Sequence, residues 1–217
     1  MPDEAAVIVR ALLTADRKAG QAMAAVFPQF APFKLPTLVS IESIDWKAAA
    51  LDVDDTAKTA LFRRDVIARQ GDATLEAPEL DVAYEGRTVL SDGSGRAARG
   101  ADDGTKLKTI KARGGVTTRN KDDTAVAHSL DYDGPAEKAV LTGDVVMTST
   151  GDRRATADKV EFDQKAERAV LSGTVVLSAG PERRVTGDRA EFDQKADTLV
   201  VVGSEVVATQ ARNVLKG

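Results

Sequence analysis

Two tandem arginine pairs, Arg153-Arg154 and Arg183-Arg184, recur thirty residues apart. Guanidinium groups repeated in this way suit phosphate, which they meet through charge-assisted hydrogen bonds. Arginines at turns are more often plain solvated charge, and that reading carries the greater weight. Glu161 with Asp163, and Glu191 with Asp193, form an acidic ladder of the same period. Paired carboxylates can divide the roles of acid and base or gather Ca²⁺, but repeated charges on one face of a repetitive β structure are usually its wet side. The Gly-Gly-x-Gly-x-Asp nonapeptide of Ca²⁺-binding β-helices is absent. The single histidine, His128, follows Ala125-Val126-Ala127 in a predicted strand, where packing or surface is its ordinary role, and it is assigned no function. Ser91-Asp92-Gly93-Ser94-Gly95 lacks the spacing and helix context of a phosphate-cradling loop and reads as flexible loop. With no cysteine there is no disulfide framework, thiolate metal site or thiol nucleophile. No nucleophile, acid–base pair or metal cluster stands out, so the expectation is a protein that is not an enzyme, with no cofactor and no metal.

The chain that must position these residues has 217 of them, within the range of one all-β domain. Lys plus Arg number 30 against 34 Asp plus Glu, a net charge of −4, which argues against nucleic acid as a partner. The hydrophobic fraction of 42% excludes wholesale disorder, and with 4% aromatic the core must come mainly from Val, Leu and Ala, a composition that leans towards strands. The best apolar run, Ala5 to Val9 and Ala11 to Leu13, is broken by Arg10, so no transmembrane helix is expected. The opening Met1-Pro2-Asp3-Glu4 and the stretch Ala5 to Ala25 match a secretory signal only weakly, and export is not claimed from them.

Ile8, Leu12, Ala15, Ala19, Met23 and Val26 fall at helical spacing and predict a short N-terminal helix over residues 3–27. Pro28, Pro32 and Pro36 forbid helix and central strand alike and make a strap, so residues 1–37 are set apart from a β domain over 38–217. Trp46 is expected to anchor the junction of strap and sheet. From Leu38 onward, short Val, Leu and Thr runs recur about every 8 to 12 residues between Gly and Asp, the mark of strands joined by tight turns.

The strongest signal is a repeat. Glu161-Phe162-Asp163-Gln164-Lys165-Ala166-Glu167 returns thirty residues on as Glu191-Phe192-Asp193-Gln194-Lys195-Ala196-Asp197, and Asp131-Tyr132-Asp133 lies thirty residues before the first. Ala139-Val140-Leu141-Thr142-Gly143 and Ala169-Val170-Leu171-Ser172-Gly173 keep the same step, and degenerate copies precede them. The Gly- and Asp-rich stretch 87–104 is a loop inserted into one copy. Each unit reads as an apolar strand with a Gly, a second Val-rich strand, a charged turn, and a strand ending in Val-Glu-Phe-Asp. Either a parallel β-helix or a folded antiparallel sheet fits this pattern. Alternation puts Val160 and Phe162 on one face and Lys159, Glu161 and Asp163 on the other. By the same rule Val66 and Ala68, Val145 and Met147, and Val175 and Leu177 point inward.

Leu141-Thr142-Gly143-Asp144-Val145-Val146, Leu171-Ser172-Gly173-Thr174-Val175-Val176 and Gly187-Asp188-Arg189-Ala190-Glu191-Phe192-Asp193 resemble the OstA-like, LptA-type proteins of lipopolysaccharide transport. The resemblance runs over roughly Leu38 to Lys216, with Arg64 where the first copy would carry a Gly. It implies an all-β, solenoid-like, U-shaped antiparallel β-jellyroll in the periplasm. The lumen of that fold shields the lipid A acyl chains of lipopolysaccharide. Its strand edges join other transport proteins or further copies head to tail. Lumen candidates are then Phe62, Val66, Leu80, Val82, Val145, Met147, Val160, Phe162, Val175, Leu177 and Phe192. The last unit, Glu191 to Gly217, falls short of a full period and leaves an edge to be paired. The other reading of the same residues is a structural β-solenoid scaffold or filament with a filled core and no ligand, in which each inward side chain is plain core.

Overall fold

The computed structural model describes residues 44–86, 106–196, 198–210 and 213–216. The N-terminal helix and strap expected over 1–37, and the loop at 87–104, lie outside the described residues. The strands are β1 (Asp45–Lys47), β2 (Ala50–Asp54), β3 (Thr59–Gln70), β4 (Ala73–Glu85), β5 (Lys106–Asn120), β6 (Asp123–Asp133), β7 (Lys138–Ser149), β8 (Arg153–Asp163), β9 (Arg168–Ala179), β10 (Arg183–Asp193), β11 (Thr198–Val202), β12 (Val207–Gln210) and β13 (Asn213–Lys216). Two compact units divide between Gly143 and Asp144, within β7.

In the first unit, β3, β4, β5 and β6 pair in sequence, all antiparallel, and β1 and β2 cover the two halves of β3. In the second, β8, β9 and β10 pair antiparallel in sequence. There β11 covers one half of β10, β12 covers the other, and β13 pairs with β12. The parallel β-helix that the repeat allowed is thereby excluded. This is the open antiparallel β-jellyroll of the expectation, built from tight turns because neighbouring strands run in opposite directions.

One expectation changes in kind. The sequence reads two strands around each repeat glycine, whereas the structure makes one long strand bent in the middle. In β7 the bend falls at Gly143 (φ 85°) and Asp144 (φ 46°), and in β9 at Gly173 (φ 94°). In β3 it falls on Arg64 (φ 64°) and Asp65 (φ 54°), so the departure from Gly there preserves the corner with side chains in a left-handed conformation. Ladder registers shift at the same level, between Arg63 and Val66, Glu76 and Glu79, Arg113 and Val116, Thr156 and Lys159, and Gly187 and Arg189. Such bulges turn a strand without ending its pairing.

The turns at the ends of the strands repeat one device. Asp54, Asp133, Asp163 and Asp193 each accept, through Oδ1, the amide of an alanine three residues on (Ala57, Ala136, Ala166 and Ala196) at 2.8–2.9 Å. A side-chain oxygen that satisfies a turn amide is the reason Asp stands at this place.

Candidate functional site

Each long strand buries alternate residues on either side of its corner. In β8, Ala155 and Ala157 precede the bend and Val160 and Phe162 follow it; in β4, Leu75 and Ala77 precede it and Leu80, Val82 and Tyr84 follow. The phase slips by one at the corner, so both arms keep their apolar side chains on the same face. Large and small residues interleave across strands: Ala169 lies between Phe162 and Phe192, and Leu177 between Ala155 and Val185.

All eleven lumen candidates stand on inward faces. Phe62, Val66, Leu80 and Val82 belong to the first unit, and Val145, Met147, Val160, Phe162, Val175, Leu177 and Phe192 to the second; each is buried. Among the described residues Thr118 is the one buried residue of polar type, and apart from it and the polar atoms of Trp46, Tyr84 and Tyr132 the inward faces are hydrocarbon between their turns. Trp46, on β1, turns inward and stacks on Phe62 with ring centroids 4.8 Å apart.

The charged features take other places. Lys159 pairs with Glu161 at 2.7 Å and Arg189 with Glu191 at 3.5 Å. Asp163 and Asp193 cap turns, and Asp193 also meets Arg168 Nη2 at 2.8 Å. The turn amide of Ala196 and the Arg168 side chain hold the Asp193 carboxyl below the ordinary aspartate range. The acidic ladder is therefore structural, and among the described residues no group of His, Asp and Glu is arranged to hold a metal ion.

The tandem arginines split. Arg153 donates from Nε to Thr150 O at 3.0 Å and from Nη2 to Ser149 Oγ at 2.8 Å, and Arg183 donates from Nε to Ala179 O at 3.2 Å. These first members tie the strand to its preceding turn. The second members, Arg154 and Arg184, are exposed on the outer face, both in register with Ser178 of the intervening strand.

Sequence reading missed the corners. Asp158 lies across Gly173, and Oδ2 accepts the Thr174 amide at 3.3 Å; Asp188 lies across Gly203, and Oδ2 accepts the Ser204 amide at 2.7 Å. His128 occupies the same place against Gly143, where a Cβ would come within 2.5 Å of Nδ1. The signal was in the repeat: 128, 158 and 188 step by thirty, as do 143, 173 and 203.

A 42-residue stretch of the chain is 69% identical to N-acetyl-gamma-glutamyl-phosphate reductase of Afipia carboxidovorans, and 41 residues are 54% identical to that of Rhodospirillum rubrum. Each match takes in 19% of this chain and 12% of the relative, so the chain spans a small part of the curated relatives it matches. Stretches that short assign no reductase activity. The crystal structure of LptH, the LptA homologous periplasmic component of the lipopolysaccharide transport device of Pseudomonas aeruginosa, aligns over 80% of this chain and 93% of that one. The identity is 12% and the TM-score 0.28, at which the overlay defines no shared geometry. The family described as LptA/(LptD N-terminal domain) LPS transport protein matches residues 46–168, more than half of the 217. The matched span opens at Trp46 on β1 and runs through the bent strands β3 to β8, and the chain belongs to this family of lipopolysaccharide transport proteins.

Proposed function

We propose that the protein is a non-enzymatic lipid carrier of the periplasm that binds the lipid A acyl chains of lipopolysaccharide and passes them towards the outer membrane. The observation that carries this reading is the apolar inward face of each unit, to which its long strands contribute side chains on both sides of their corners. Phe62, Val66, Leu80, Val82, Val145, Met147, Val160, Phe162, Val175, Leu177 and Phe192 are its contacts. Each acyl methylene taken from water gains about 0.8 kcal/mol, so hydrocarbon burial alone supplies the affinity without any covalent step. On the outer face, the exposed cations Arg154 and Arg184 meet headgroup phosphates. The strand edges at β1 and β2 and at β11 are the surfaces that add strands of other transport proteins or of a second copy, since an unpaired edge is a template for strand addition.

A ligand-free structural solenoid is the second reading, favoured by the complete burial of Ala60, Leu80, Val160 and Leu177. Photo-crosslinking with lipopolysaccharide separates the two. A photoreactive residue at inward Phe162 gives a lipid adduct and one at outward Asp163 gives none if the protein is a carrier. Absence of adduct at both sites in folded protein overturns the carrier reading.

A further inference from the structure

The inward face of the first unit holds a polar group that its own fold does not use. Trp46 is 6% exposed, and its Nε1 has no hydrogen-bond partner. The indole ring is well employed, stacked on Phe62 at 14° between planes, but a phenyl ring would serve that contact equally. The N–H is what distinguishes it, and a buried donor without an acceptor is among the costlier arrangements in a folded protein.

Its surroundings define the missing acceptor. Strand register places Trp46 beside Ala68, Ala68 beside Leu75, and Leu75 beside Thr118. This inward row therefore carries the indole N–H at one end and, three strands away, the one buried polar residue among those described. The backbone carbonyls that face a neighbouring strand within this row are used in the ladders β1–β3, β3–β4 and β4–β5. The acceptor that fits is a neutral oxygen on an otherwise apolar molecule. A carboxylate would have to shed its water in a face that offers it no cation, and that cost disfavours a free fatty acid.

We infer that Trp46 is a specificity-determining residue whose indole N–H takes the carbonyl oxygen of an acyl ester or amide on the inward face of the first unit. The inference rests on the carrier reading and adds a polar contact to it, at the point where an acyl chain joins its headgroup. Hydrocarbon burial gives affinity for any long chain, and this donor gives preference for a chain that ends in a neutral carbonyl.

Trp46 is the sole tryptophan, so its emission reports on this site alone. The test titrates the full chain and Trp46→Phe with methyl decanoate, decane and sodium decanoate, following binding by calorimetry and, in the wild type, tryptophan emission. Wild type is expected to bind methyl decanoate more tightly than decane or decanoate, with an emission shift on ester binding that decane does not produce. Trp46→Phe is expected to lose about five- to ten-fold in ester affinity, the worth of one hydrogen bond, and to bind decane as before. An unchanged ester-to-alkane ratio in the variant, or identical emission with ester and alkane bound, overturns the role of Trp46 and leaves the carrier reading standing. Failure of folded wild type to bind any of the three overturns the carrier reading itself. Should Trp46→Phe not fold, the wild-type comparison of ester with alkane decides the matter.

Discussion

Asp158 of β8 lies across Gly173 of β9 and holds the Thr174 amide through Oδ2, and Asp188 stands in the same relation to Gly203 and Ser204. The bend in β9 is thus set by Gly173, which turns, and by a side chain from the strand before it that occupies the space a Cβ would take. Two costs meet at Gly173, its φ of 94° and the Asp158 carboxylate. Gly151 has a φ of 73° and open space where a Cβ would stand, so it bears the conformational cost alone. Gly173→Ala is therefore expected to destabilise by about 2–4 kcal/mol and Gly151→Ala by about 1–2 kcal/mol. Urea unfolding of the two variants checks the order, and equal losses would show that Asp158 does not crowd the corner.

The capping aspartates predict a dependence on acid. The folded carboxyl of Asp193 lies below its ordinary range, so its contribution to stability is full above the unfolded value and is lost as pH falls through the folded one. Wild type should exceed Asp193→Asn in melting temperature at neutral pH. The gap should close as the pH drops below about 4, where free aspartate takes up its proton. A gap that stays constant down to that pH would mean the charge of Asp193 is not what stabilises the turn.

Both tyrosines of the chain sit on the buried face. Burial raises the phenol of Tyr84, with the charge of Asp55 adding to it, and burial raises that of Tyr132, with Glu137 and Asp133 adding. Spectrophotometric titration of the folded protein should show no tyrosine ionising at the ordinary value near 10, and both doing so once urea unfolds it. A normal midpoint in the folded protein would place at least one ring in solvent.

The arginine pairs give a test of division of labour. Arg153→Ala removes two hydrogen bonds to the preceding turn and should cost about 1 kcal/mol, whereas Arg154→Ala should change stability by less than about 0.5 kcal/mol. If Arg154 and Arg184 meet phosphates, Arg154→Gln with Arg184→Gln weakens binding of lipopolysaccharide and leaves binding of its dephosphorylated form unchanged. Equal loss for both forms would remove phosphate from the account.

Thr198–Val202 is an edge strand without a charged residue, paired with β10 on one side. A lysine on such an edge discourages addition of a further strand. Val200→Lys is expected to lower the size of any oligomer in sedimentation while the melting temperature holds, and unchanged sedimentation of an oligomer would move the contact elsewhere.

The period-two alternation in Val160-Glu161-Phe162-Asp163 was enough to assign faces, because a strand has only two and one of them is apolar. The thirty-residue repeat was enough to place the turns in the regular part of the chain. These are local or periodic properties, and they are written in residue type. Reading two strands around Gly143 went wrong because a glycine looks the same in sequence whether it ends a strand or bends one. The difference lies in a ladder that resumes beyond it with a shifted register. Antiparallel pairing over a β-helix, the setting of Asp158 and His128 against glycines fifteen residues away, and the splitting of each arginine pair all depend on which strands become neighbours. The sequence by itself determined an apolar face and the residues on it; only the tertiary structure decided that Trp46 brings an unpaired N–H to that face. A hydrogen bond is made or left unmade by the positions of groups far apart in the chain, and no residue type records it.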